Sequence, residues 1–374
     1  MRLPLAVATH DGRGLALSIR YGIIGTGMMG CEHIRNLAAM DDVDIVAVAD
    51  PNEEPREWAI ESCGDRFSPR VHEDYRDLLN NDSVDAIVVA SPNYTHIDVM
   101  RDVFKTDKHV MLEKPMCTTL ADALELDRLT ASHKGIVWIG LEYRYMPTTS
   151  ALLQYLPAIG EVKMCAIQEH RFPFLKKVGD WNRFNRNTGG TLVEKCCHFF
   201  DLMNLVVPGK PVRALASGAQ SVNHLDEIYN GAVPDIIDNA YVIVEYDSGA
   251  RAMLDLCMFA EGSKYEQMIA VTGDAGKLET TVPGDELFIS KRERGSGKAV
   301  SITMDSRVKH EGFHHGSSFL EHREFIDAIR EGSGPAVTTT DGLMSVLVGL
   351  AAQQSIETGR AVNIDSLLEQ HSDK

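Results

Sequence analysis

The chain predicts an α/β protein in two parts. An N-terminal doubly wound parallel sheet is followed by an α+β domain with a large, mostly antiparallel open sheet. Three observations carry this. Up to about residue 140, short apolar strands with little alternation exchange with helices, as expected when helices cover both faces of a sheet. From about 141 the pattern turns to alternating strands separated by turn signals. A length of 374 residues suits two domains, each with its own core. The expected boundaries are a tail over 1–18, a first domain over 19–140, a second over 141–360, and a C-terminal tail over 361–374.

In the first domain, strands are read at Ile19–Ile24, Asp44–Ala49, Asp85–Ala90, His109–Leu112 and Ile136–Gly140. Helices fall near 28–40, 53–63, 73–80, 95–105 and 118–132. Thr119-Leu-Ala-Asp122, a capping box with Asp in place of Glu, opens the last. The first strand runs into Gly25-Thr-Gly-Met-Met-Gly30, the spacing G-x-G-x-x-G. Gly25 permits the tight strand-to-helix turn, Gly27 lets the backbone approach a pyrophosphate, and Gly30 lets the helix lie against its strand. The free N–H groups of that helix then face the phosphates. The second strand ends at Asp50, 20 residues after Gly30. A carboxylate there accepts hydrogen bonds from the adenosine ribose and repels a 2′-phosphate. The fingerprint is that of a Rossmann domain, and the expected cofactor is NAD rather than NADP.

The second domain reads as strands at Val162–Arg171, Val212–Gln220, Ala240–Tyr246, Ala250–Phe259, Gln267–Thr272, Leu278–Thr281, Glu286–Lys291 and Ala299–Met304. In the fourth, Ala250, Ala252, Leu254, Leu256 and Met258 share one face, as in an antiparallel sheet with unequal faces. Helices near 317–330 and 341–358 close the chain. The sheet face without helices is expected to form the contact of a homodimer or homotetramer.

Composition narrows the partners. Hydrophobic residues make up 44% and charged residues 24%, the balance of an ordinary soluble protein. A net charge of −17 argues against nucleic acid. No apolar run reaches the length of a membrane span. Seven scattered cysteines without a C-x-x-C pair argue for a reducing compartment. The apolar stretch in residues 1–18 is too short for an export signal and is interrupted by Pro4, so a cytoplasmic protein is expected.

Three clusters fall where this fold would place chemistry. Ala90-Ser-Pro-Asn-Tyr-Thr-His96 follows one strand and offers Ser91, Asn93 and His96. Glu113-Lys114-Pro115 follows the next. A lysine there can hold a substrate oxygen and stabilise alkoxide character, although a surface Lys–Glu pair would look the same. The third cluster is a helix from about Thr191, apolar almost all round, that carries Glu194, His198 and Asp201 at i, i+4 and i+7 on one face. Three explanations stand side by side: a mutually satisfied structural set, a histidine base oriented by a carboxylate, or a metal site.

Taken together, G-x-G-x-x-G, S-P-N-x-x-H, E-K-P and G-G-T-L-V-E-x-x-x-H-x-x-D resemble, in that order, the glucose–fructose oxidoreductase / inositol dehydrogenase / rhizopine catabolism (Gfo/Idh/MocA) family over about residues 19–360. The resemblance implies hydride transfer between nicotinamide and a hydroxyl carbon of a sugar or cyclitol. It makes Lys114 the active-site lysine, His198 the acid/base, and Glu194 the counterpart of a shorter aspartate, while Pro115 stands where a cis peptide is common. Lys195 and Cys196-Cys197 depart from the small or aliphatic residues usual there, and Lys195 is expected to serve a neighbouring wall or a partner subunit. The cofactor contacts expected are Gly25, Thr26, Gly27, Met28, Met29, Gly30, Asp50, Ser91, Asn93, His96, Glu113 and Lys114. Those for substrate are Tyr143, Arg171, Trp181, Asn182 and His314, and no metal is expected. Rival readings are a glycosidase of the same fold using transient oxidation, or a non-catalytic nucleotide-binding regulator.

Overall fold

The computed structural model describes residues 18–372. The expected tail over 1–18 lies, apart from Ser18, outside the described residues. The first part alternates β1 (Ile19–Ile24), α1 (Met28–Ala38), β2 (Val43–Ala49), α2 (Glu53–Cys63), β3 (Arg70–His72), α3 (Tyr75–Leu79), β4 (Ala86–Val89), α4 (His96–Val103), β5 (His109–Glu113), α5 (Leu120–Thr130) and β6 (Val137–Gly140). Its six strands form one sheet in the order β3-β2-β1-β4-β5-β6, with every neighbouring pair parallel. The order reverses between β1 and β4, so a ligand crevice opens at the carboxyl ends of those two strands. The sequence did not announce β3: its three largely exposed residues carry no apolar run.

The second part runs through a 3-10 turn (Glu142–Tyr145), α6 (Pro147–Tyr155), β7 (Val162–His170), a 3-10 segment (Val178–Arg183), α7 (Asn185–Thr188), α8 (Thr191–Glu194), α9 (Cys197–Val206), β8 (Pro211–Ala219), β9 (Asn239–Tyr246) and β10 (Arg251–Cys257). It continues with β11 (Gln267–Gly273), β12 (Gly276–Val282), β13 (Glu286–Lys291), β14 (Lys298–Ser301), α10 (Ser317–Glu331), α11 (Thr339–Thr358), β15 (Val362–Asn363) and α12 (Ile364–Ser372). The nine strands are ordered β14-β13-β12-β11-β7-β10-β9-β8-β15. Only β7 and β10 run parallel; their neighbours are antiparallel.

Alternation along β10 matches the sequence pattern. Ala252, Leu254 and Leu256 are buried beneath helices, while Arg251 and Met253 are exposed. Met164, Leu215, Tyr241, Ile243 and Met268 are exposed on that same outer face. The segment 361–374 is not a tail throughout. Val362 and Asn363 pair with β8, and Ile364 and Leu367 of α12 are buried. Three apolar residues are too few in sequence to separate a docked helix from a loose end.

The two parts are bolted together at α10. Its Arg323 and Arg330 each reach Asp42, at 2.6 and 2.5 Å, and its Glu321 accepts from the Trp138 indole at 3.1 Å.

Candidate active site

The nucleotide cradle is built by glycines with different duties. Gly25 has φ +84°, and a Cβ there would collide with the Ala90–Ser91 backbone; a Cβ on Gly30 would strike the Gly25 carbonyl oxygen. Both are required by the protein's own packing. Gly27 is not: a Cβ there would meet nothing within 4 Å. It caps α1 without a side-chain cap, and the first turn holds no acidic residue. The helix N-terminus is thus left open to an anion, and NAD fits this cradle. Asp50 stands at the end of β2, its carboxylate accepting from the N–H groups of Thr26 and Asn52 at 2.9 Å each.

A cleft of about 930 Å³ joins these parts. Its walls include Gly25, Gly27, Met28, Met29, Asp50, Ser91, Asn93, Glu113, Lys114, Trp181 and Glu194. Three expected cofactor residues stand behind the wall instead. Thr26 is fully buried, and Gly30 serves packing. The His96 ring lies between the carbonyls of Ser91 (3.0 Å) and Pro115 (2.9 Å), so it braces the two loops that carry Asn93 and Lys114. Burial holds that imidazole below its ordinary range, and a neutral ring donates to one carbonyl at a time.

Lys114 directly follows β5 and is joined to Pro115 by a cis bond. Burial opposes its ammonium, but Cys197, Glu113 and Glu142 nearby outweigh that and raise it. Its Nζ donates to the backbone carbonyl of Glu194 at 3.2 Å. That contact falls at a departure from expectation. The helix expected to run unbroken from Thr191 stops at Glu194 and restarts at Cys197, with Cys196 at ψ −3°. A continuous helix would direct the Glu194 carbonyl to the His198 N–H; here the Lys114 ammonium takes it. The shared face of Glu194, His198 and Asp201 is lost at this break.

The three residues therefore separate. Glu194 lines the cleft with Oε2 buried and unpartnered, and burial raises its carboxyl. Asp201 grips Arg144 through two bonds of 2.7 and 2.5 Å, far from any duty to His198. Asp201→Asn is expected to cost about 1–3 kcal/mol of stability by weakening a buried charged bond. Chemical denaturation reads this, and an unchanged midpoint would remove the structural role.

His198 sits one layer behind Lys114. Its ring stacks on Tyr143 with centroids 4.2 Å apart, and Nδ1 is buried without a partner. The carboxylate beside it is Glu142, with Oε1 3.6 Å from His198 Nε2 and 3.4 Å from His314 Nε2. Burial and the charge of Glu113 push the Glu142 carboxyl up. Burial, then Lys114 and Lys195, hold the His198 imidazole well down, so the ring is neutral at neutral pH.

Sequence reasoning missed Glu142, although it directly precedes Tyr143, because a single carboxylate in a turn carries no periodic signal. It also missed the pairing of Glu113 with His33 at 2.8 Å, and of His33 with His322 at 2.9 Å. Lys195 faces inward rather than toward a partner. Its Nζ lies 3.0 Å from Glu169 and donates to the Tyr143 hydroxyl at 3.1 Å, while Gln267 donates to the same oxygen at 3.0 Å. Lys195 therefore clamps the ring on which His198 stacks.

Of the residues expected at the substrate, Trp181 lines the cleft and meets Tyr94 of the first domain edge-on at 6.3 Å. Tyr143 and His314 belong to the layer behind. Arg171 is not part of the cleft lining, and its charge is matched by Glu169 at 3.5 Å and Glu266 at 3.8 Å. Asn182 does not reach the cleft: it is fully buried and donates to the Leu175 carbonyl at 3.0 Å, pinning the loop above. Among the described residues no group of three His, Cys, Asp or Glu side chains could hold a metal ion, and no helix is long and apolar enough to cross a membrane.

Comparison with known proteins agrees with this architecture. Residues 19–141 match the oxidoreductase-family model for a NAD-binding Rossmann fold, and residues 157–364 match that family's C-terminal α/β domain. The chain is 28% identical to a myo-inositol 2-dehydrogenase of Thermotoga maritima, covering 94% of this chain and all of that one. It is 23% identical to a scyllo-inositol 2-dehydrogenase (NAD(+)) of Bacillus subtilis, over 93% and 96% of the two chains. A levoglucosan dehydrogenase solved with NADH superposes with TM-score 0.81 at 18% identity, over 93% and 99%, a likeness of fold.

Proposed function

The chain belongs to the Gfo/Idh/MocA oxidoreductase family, and on that premise we propose that it is an NAD-dependent dehydrogenase oxidising a hydroxyl of a cyclic polyol or sugar. The observation that carries the proposal is the meeting, in one cleft, of the Lys114 ammonium and the Glu194 carboxyl with an open glycine cradle. NAD, when bound, supplies the hydride acceptor. Lys114 donates to the substrate oxygen and stabilises its negative charge as the C–H bond breaks. His198, kept neutral, takes the hydroxyl proton. Glu194 contacts a second hydroxyl. Glu142 and Tyr143 hold the His198 ring in place.

Asp50 is the selector of NAD over NADP. Asp50→Ser is expected to shift the NAD:NADP preference by about 10- to 100-fold toward NADP, because a like-charge repulsion is removed. Steady-state kinetics with both cofactors measures it, and an unchanged ratio would place selection elsewhere. The apolar outer sheet face supports a homodimer or homotetramer; a monomeric mass by light scattering would remove that part. Seven thiols, none of them paired, fit a reducing cytoplasm.

The direct test follows NAD reduction with purified protein and a panel of inositols, aldoses and anhydrosugars. Turnover with one of them establishes the reaction. NAD binding without reduction of NAD by any polyol would overturn it.

A further inference from the structure

The cations around this cleft are not all matched. Arg144 meets Asp201 at 2.5 Å, Arg183 meets Glu227 at 2.9 Å, Lys195 meets Glu169 at 3.0 Å and Arg171 meets it at 3.5 Å. Each is a buried or half-buried charge with a carboxylate at hand, as burial demands. Four cations line the cleft itself, Arg35, Lys114, Lys176 and Lys177; Arg35 and Lys176 are exposed, and the half-buried Lys177 and Lys114 break this pattern. Both line the cleft, and neither has a carboxylate oxygen within 4.0 Å of its ammonium.

Lys177 lies on the stretch between β7 and the turn at Val178, where Asn182 fixes Leu175 and Trp181 leans on Tyr94. It is half-buried, and its nearest charged influences are Glu194, Lys114 and Glu113. Burial pulls its ammonium down, and Glu194 is a weak counter-ion because burial raises its own carboxyl. Glu113 is already held by His33. Two half-buried ammonium groups thus line the cleft together with Glu194, whose carboxyl burial raises.

Resting on the dehydrogenase reading above, we propose that the polyol oxidised here carries a carboxylate, and that Lys177 binds it while Lys114 holds the reacting oxygen. A sugar acid supplies a negative charge for an ammonium that no carboxylate of the chain matches. The same charge accounts for a lysine held over the cleft with no ion-pair partner from the chain.

Glucose, galactose and mannose would each be compared with the corresponding uronate and 6-phosphate. NAD reduction gives kcat/KM, and calorimetry on the NAD-loaded protein gives binding of the uronate. The uronate is expected to exceed its neutral parent by about 10- to 100-fold in kcat/KM, the worth of a charge-assisted bond. Lys177→Gln should collapse that ratio toward one, and Lys177→Arg should keep most of it. A neutral sugar preferred over its uronate overturns the carboxylate and leaves the dehydrogenase standing. Preference for the 6-phosphate overturns it in favour of a dianion. Uronate binding that Lys177→Gln abolishes, without turnover of any sugar, sinks the dehydrogenase reading and keeps the anion site. No uronate binding and no uronate turnover overturns the proposal.

Discussion

Lys114→Met is expected to lower kcat/KM by about 10²- to 10³-fold, the cost of removing one preorganised donor to a developing oxyanion. The ammonium stands at the carboxyl end of β5, inside the cleft and spanned by no ion pair of 4.0 Å or less. One of its three N–H groups is spent on the Glu194 carbonyl, which leaves donors for a substrate oxygen. Methionine keeps the length and the apolar stem but offers no donor. The effect should therefore fall on kcat, with NAD affinity shifted by less than about tenfold. A loss below tenfold in kcat/KM would reduce Lys114 to a prop for the α8–α9 break. The thermal midpoint of the variant guards against that confusion, since a prop would lower it.

His198→Gln is the second large effect, a loss of about 10²- to 10⁴-fold through removal of a positioned base. The sign of its pH dependence follows from burial. A depressed imidazole stays neutral from high pH down past the ordinary 6.5. The wild-type kcat/KM should then be full above pH 6.5 and fall only as pH drops through the lowered value. In the variant this acid limb should vanish, and the residual rate should be flat over the same range. An acid limb that survives unchanged would assign the titration to another group, with Glu142 the nearest candidate. Glutamine occupies a similar volume against Tyr143, so circular dichroism should show the fold intact.

The nucleotide half was legible in the sequence because its signals are local. Gly25, Gly27 and Gly30 lie within one turn, and Asp50 sits at the end of the next strand. Lys114 was legible as the residue closing β5, and the faces of β10 followed from alternation alone. The layer around His198 was not legible. Its members come from the turn after β6, from α9 and from the segment before α10, so the contacts of Glu142 with His198 and His314 span distances in sequence that no periodicity records. Lys177 gave no signal either, since a lysine in a loop is usually solvated.

By itself, then, the sequence determined two domains, a parallel sheet with a nucleotide turn, a mostly antiparallel second sheet, and a short roster of reactive residues. Each of these follows from the period of a strand or helix, or from the stereochemistry of a tight turn. The tertiary structure alone decided how the reactive residues share the work. A helical face exists only while the helix continues, and this one stops at Glu194, whose carbonyl accepts from the ammonium of Lys114. On either side of the break Glu194 lines the cleft, Asp201 pairs with Arg144 and His198 lies beside Glu142, neighbours that packing rather than sequence spacing brings within reach.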